Sequence, residues 1–176
     1  MAALIDVAQA LRREQRAAVT DSLTGLFNRR GFDERLGEEL ARTERTGASL
    51  ALVLVDCDDL KRVNDTLGHD RGDTLLQTLA RSIRDGKRTG DLAARTGGDE
   101  FGIALPGASL ETAILMAERL RRALRARSTD GLATTASFGV ALYPDDGLTS
   151  AALLRAANRA LYEAKLGGKD RLASPA

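Results

Sequence analysis

Two acidic turns carry the side chains best suited to chemistry. Asp56 closes the apolar run at residues 50–55, and Asp58 and Asp59 follow it. Asp99 and Glu100 stand directly after Gly97 and Gly98. Carboxylate oxygens suit a hard cation such as Mg²⁺, which usually takes one or two carboxylates together with substrate phosphates. A pair of such ions can activate an attacking oxygen and neutralise a transferred phosphoryl group. Glycine removes the side chain where a bulky anion or another backbone must come close. Taken alone, a Gly-Gly-Asp-Glu tip is accounted for equally well by an exposed hairpin with solvated acids. The second acidic turn favours the binding reading, provided that the hairpin pairs beside the strand ending in Asp56.

The elements that must hold these turns are readable from pattern. Residues 50–55 form a short continuous apolar run rich in Val and Leu, the mark of a buried central strand. The stretch DLKRVNDTLG reads as a short helix stopped at Gly68, and residues 72–86 as an amphipathic helix with an Asp in its first turn and Gly86 at its end. GDLAAR and EFGIALP flank the Gly-Gly turn as a β-hairpin. Helices are expected over 4–19, 29–46, 109–127 and 149–168, and a strand over 132–144. The alternation, with one antiparallel hairpin inside it, predicts an α/β chain with a mixed sheet covered by helices.

Composition narrows the function. At 176 residues the chain is about one domain. Lys plus Arg is 26 against 25 for Asp plus Glu, a net charge of +1, which gives no global footprint for nucleic acid. Aromatic residues make up 3% and Trp is absent, leaving little to stack on single-stranded bases. Cys57 is the single cysteine, which suits a reducing compartment. No run spans a bilayer and no signal-peptide pattern is present, so the expected location of this segment is cytoplasmic.

RTGGDEFG (95–102) together with VDCDDLKRVNDTLGHDRGD (55–73) resembles the GGDEF domain of diguanylate cyclases. DSLTGLFNRRGF, TASFGVALYP and LYEAKLGGKD fit the same family in the right order. The resemblance covers residues 20–172, leaving 1–19 as a helical lead-in and 173–176 as a tail. It implies an α+β fold like the palm of polymerases and nucleotidyl cyclases, a mixed five-stranded sheet flanked by helices. It further implies condensation of two GTP into cyclic di-GMP with release of two pyrophosphates. Two Mg²⁺ (or Mn²⁺) ions per site would be held by Asp56, Asp99, Glu100 and the backbone carbonyl of Cys57. Asp99 is the residue that the family credits with accepting the proton of the attacking 3′-hydroxyl. Lys61 would neutralise phosphate charge in transfer, beside the bare Gly97 and Gly98. Lys165 and Lys169 would reach the triphosphate; Arg is common at the latter position, and Lys loses the bidentate fork. Asn64 and Asp73 would read guanine, whose two Watson–Crick donors suit one carboxylate, whereas adenine sets an acceptor against it. RTGD (88–91) matches the family's RxxD product site, with Arg88, Asp91 and Arg119 as its contacts.

The expected partners are GTP, cyclic di-GMP as product and feedback ligand, and a second copy of the chain in a homodimer that can be transient. An upstream sensory domain is compatible with the lead-in helix. The rival reading is a module of the same fold that binds GTP or cyclic di-GMP as a sensor; relatives of that kind usually lose acids at the tip, and Asp56, Asp99, Glu100 and Lys61 are all present here. Departures from the family pattern fall at Cys57, Asp59, Leu60 and Asn158, the last expected to lie away from the chemistry. His69 reads as structural, Cys57 as a poor nucleophile without a His partner, and Arg121, Arg122, Arg125 and Arg127 mostly as a solvated helix face.

Overall fold

The computed structural model describes residues 18–126 and 135–175. Apart from its last two residues, the expected lead-in helix lies outside them, as do Arg127 and the first residues of the 132–144 segment. The element order is α1 (Arg29–Thr46), β1 (Leu50–Cys57), α2 (Leu60–Leu67), α3 (His69–Gly86), β2 (Leu92–Arg95), β3 (Glu100–Pro106), α4 (Leu110–Ala126), β4 (Ala136–Tyr143), α5 (Ser150–Leu166) and β5 (Leu172–Ala173).

β1 is apolar up to Asp56 because both of its faces are covered. Successive side chains point to opposite faces. Ala51, Val53, Val55 and Cys57 meet Leu76, Leu79 and Ile83 of α3 and Met116, Leu120 and Leu124 of α4. Leu50, Leu52 and Leu54 meet Phe32, Leu36 and Leu40 of α1 and Leu153, Ala157 and Leu161 of α5. The strands run in the order β2-β3-β1-β4-β5. β1 is antiparallel to both neighbours, and only β4 and β5 run parallel. The mixed five-stranded sheet is therefore present, as is the β2–β3 hairpin. β5 pairs Leu172 with Phe138 and Ala173 with Gly139, so the sheet reaches one residue into the expected tail.

Two contacts set the layer spacing on the α1/α5 face. A side chain at Gly102 would press on the Phe32 ring, and one at Gly139 would overlap the backbone of α5 at Ala157 and Leu161. Asn28 caps α1 by accepting from Gly31 N at 2.9 Å, while its own amide donates to the carbonyls of Ala18 and Thr20. Phe27 then bridges to Ala94 of β2, covering that edge of the sheet.

One helix starts earlier than its pattern suggests. α3 begins at His69 rather than Gly72, so the acid of its first turn is Asp70, and Asp73 lies one turn further in. His69 opens that helix and lines the cavity described below.

Candidate functional site at the end of the central strand

The β1–β3 register decides whether the acids meet. Asp56 lies opposite Glu100, and the next step of the ladder has Cys57 N donating to the Asp99 carbonyl at 2.9 Å. Directly opposite residues of an antiparallel pair present their side chains to the same face. Asp56 and Glu100 therefore share the α1/α5 face, where Lys165 Nζ comes within 2.6 Å of Asp56 Oδ2. Burial pushes the Asp56 carboxyl above its ordinary value; the Lys165 hydrogen bond and charge oppose this, and the charges of Asp99 and Glu100 reinforce it. Crowded carboxylates of this kind gain from a cation. Among the described residues, no group of three His, Cys, Asp or Glu side chains is arranged to hold a metal by itself.

On the other side of the turn a cavity of about 500 Å³ opens. Its lining includes Lys61, Asn64, Asp73, Gly98 and Asp99. Helices α2 and α3 meet at Gly68, and Gly72 allows Asn64 to lie against the start of α3, since a side chain there would overlap the Asn64 amide. Asn64 Oδ1 is buried and lacks a hydrogen-bond partner among the described residues. An unpaired buried acceptor is costly unless a ligand satisfies it.

The two tip glycines differ. The space beside Gly98 is open, as expected for an approaching ligand. The space beside Gly97 is taken by the Glu100 carboxylate, so that glycine serves the turn itself. Arg95 braces the tip by donating to the Gly98 carbonyl from Nε at 3.2 Å and Nη2 at 2.7 Å, with Asp21 at 3.4 Å from Nη1. Asp21 in turn accepts from Thr24 N and Oγ1. Arg95 had no role in the sequence reading, although its place directly before the turn is a signal that could have found it.

Asp58 is a second residue that pattern did not single out. Its carboxylate is buried and accepts from Ser137 Oγ and Thr135 Oγ1, both at 2.8 Å, and from Asp170 N at 3.0 Å. It ties β1 to β4 and to the loop after α5. In that loop Lys169 Nζ lies 2.6 Å from Asp59 Oδ1, and this hydrogen bond pushes the lysine above its usual pKa. Asp59, Lys169 and Asp170 are the non-glycine residues with positive φ in the described chain (56°, 62° and 46°). Backbone strain is thus gathered at one mouth.

Two expectations are corrected here. Arg121 departs from the solvated face: it is half-buried and grips the Asp170 carboxylate at 3.3 Å and Glu118, whereas Arg122 and Arg125 are exposed as expected, Arg125 also reaching Asp170 at 3.1 Å. Asn158 is not remote, since it shares a cavity of about 40 Å³ with Arg29, Thr96 and Glu100. Cys57 keeps its reading as a poor nucleophile, since burial and four neighbouring acids push its thiol far up.

Arg88, Asp91 and Arg119 converge elsewhere, around a separate cavity of about 360 Å³ that is also lined by Leu105, Met116 and the exposed Leu115. Asp91 holds the turn by accepting from Arg88 N at 2.6 Å, and Arg119 donates to the Gly86 carbonyl.

Comparison with known proteins defines the class. The family model described as "Diguanylate cyclase, GGDEF domain" matches residues 18–171, and the chain belongs to this family. It is 41% identical over 166 residues to the diguanylate cyclase DgcP of Pseudomonas aeruginosa, covering 92% of this chain and 25% of that protein. It is 39% identical over 169 residues to the cyclic di-GMP phosphodiesterase NbdA of the same organism, covering 94% of this chain and 21% of the relative. The chain thus spans about a quarter of the length of these relatives. The crystal structure of the coiled coil and GGDEF domain of DgcB from Caulobacter crescentus, in complex with c-di-GMP, superposes with a TM-score of 0.93 at 31% identity, covering 99% of this chain and 94% of that one.

Proposed function

We infer that this chain is a diguanylate cyclase that condenses two GTP into cyclic di-GMP and releases two pyrophosphates. The observation that carries the reading is the cavity where Lys61, Asn64, Asp73, Gly98 and Asp99 converge beside the Asp56–Glu100 end of the sheet. Membership of the GGDEF family and the similarity to DgcP support it.

Each chain would seat one GTP. Asn64, with its unsatisfied buried oxygen, and Asp73 would read the guanine edge, rejecting adenine by setting acceptor against acceptor. Lys61 would offset phosphate charge as it develops. Lys165 and Lys169 would engage the triphosphate from α5 and its following loop. Asp56 and Asp99, with Glu100 and the Cys57 carbonyl, would hold Mg²⁺ or Mn²⁺. Such ions supply activation of the attacking 3′-hydroxyl and charge relief at the phosphate. Asp99 is the acceptor for the hydroxyl proton. One seated nucleotide cannot close the ring, so two chains must meet with their cavities face to face. Arg88, Asp91 and Arg119 would bind the product and provide feedback. In its native setting the protein would act in the cytoplasm, downstream of a sensory input.

Incubation with GTP and Mg²⁺, followed by chromatographic identification of the product, tests the assignment. Cyclic di-GMP is expected from the parent, and Asp99→Ala should lower its formation by about a thousandfold or more. Unaltered synthesis by Asp99→Ala would refute the placement of the chemistry.

A further inference from the structure

Lys169 is already neutralised inside the molecule. Its Nζ lies 2.6 Å from Asp59 Oδ1, and the two side chains are 45% and 43% exposed. Asp58 also faces the ammonium with favourable charge, and Arg62 with unfavourable charge. The loop does not depend on this pair for its shape. Its backbone is fixed through Asp170, whose N–H is held by Asp58 and whose carboxylate is gripped by Arg121 and Arg125. An exposed single ion pair adds little to stability. Asp59 therefore acts on the charge of Lys169 rather than on the fold.

We propose that Asp59 is an internal competitor for Lys169, so that an anion engaging loop 167–171 must draw this cation away and binds about two- to fivefold more weakly than it would to a free lysine. An ammonium has three donors and one charge. While Asp59 holds it, an incoming anion meets a compensated pair instead of a free cation. Asp59 is then an attenuating residue for anion binding at this loop. The proposal rests on the reading of this loop as part of the nucleotide-phosphate site.

The test is a double-mutant cycle on the binding of inorganic tripolyphosphate in the presence of Mg²⁺, measured by calorimetry, with thermal melts as a folding control. Asp59→Asn should tighten tripolyphosphate by about two- to fivefold. Lys169→Gln should weaken binding, and in that background Asp59→Asn should have no further effect. Tightening that persists without Lys169 would mean simple repulsion by Asp59 and would overturn the proposal. Weaker or unchanged binding by Asp59→Asn would overturn it as well. A parent that binds no tripolyphosphate, or a Lys169→Gln variant that binds it as well as the parent, would remove the phosphate-site reading itself.

Discussion

Asp56 concentrates the electrostatic cost of the site. Its side chain is 9% exposed, and burial raises its pKa above the ordinary 3.8. An acid whose folded pKa is raised binds its proton more tightly folded than unfolded. Its favourable contribution is full below 3.8 and is lost as pH rises through the folded value. Near neutral pH the ionised, buried carboxylate is a burden to the metal-free protein, only partly offset by Lys165. Asp56→Asn should therefore raise the melting temperature near neutral pH, by about 2–4 °C for each kcal/mol relieved. That gain should vanish as pH falls below 3.8, where both side chains are neutral. Melts across pH on parent and variant, without added metal, check this; a lower melting temperature at neutral pH would show that the Lys165 pair outweighs burial. At this scale the sequence was informative about type and silent about contact. Asp56, Asp99 and Glu100 announced themselves as acids beside turns. Asp58 looked like one more of them, yet its oxygens are committed to Ser137, Thr135 and Asp170. The departures at 59 and 169 were separately visible; that they meet depends on a loop placed by long-range contacts.

Elements position the site through close approaches, and two glycines separate the kinds of approach. At Gly139 an added methyl would overlap the Ala157 carbonyl and Leu161 backbone nitrogen, which cannot move without shifting α5. Gly139→Ala should cost about 2–4 kcal/mol in chemical denaturation. At Gly72 the obstacles are the ends of two side chains, the Asn64 amide and Leu60 Cδ1 at 3.3 Å, and alanine improves helix propensity. Gly72→Ala should fold with less than about 1 kcal/mol of change while losing about tenfold in GTP affinity, because Asn64 is pushed from its place. Equal destabilisation by both variants would contradict this division. The continuous apolar run of β1 and the hairpin around Gly97–Gly98 were legible because their patterns reflect burial on two faces and a tight turn. β5 was not, since the two residues Leu172–Ala173 carry no period. The start of α3 at His69 was missed because Gly72 reads as a boundary, whereas inside the helix it makes room for Asn64.

Two of the cavities, the one at Lys61 and Asp99 and the one at Arg88 and Arg119, lie apart, and α4 touches the surroundings of both. Arg119 lines the Arg88–Asp91 cavity, while Arg121 and Arg125 hold Asp170 beside the phosphate loop. If product binds at the first cavity, Arg88→Ala should raise the cyclic di-GMP concentration for half-inhibition by about tenfold or more, by loss of a charged phosphate contact. Half-inhibition at the parent's concentration would place feedback elsewhere. The central claim concerns two chains acting on two nucleotides. The measurement that tests it most directly is the rate of cyclic di-GMP formation per chain, from GTP and Mg²⁺, as protein concentration is raised. The per-chain rate is expected to climb with concentration until dimers saturate. Absence of cyclic di-GMP at every concentration, even with chains joined through a fused dimerising partner, would contradict it.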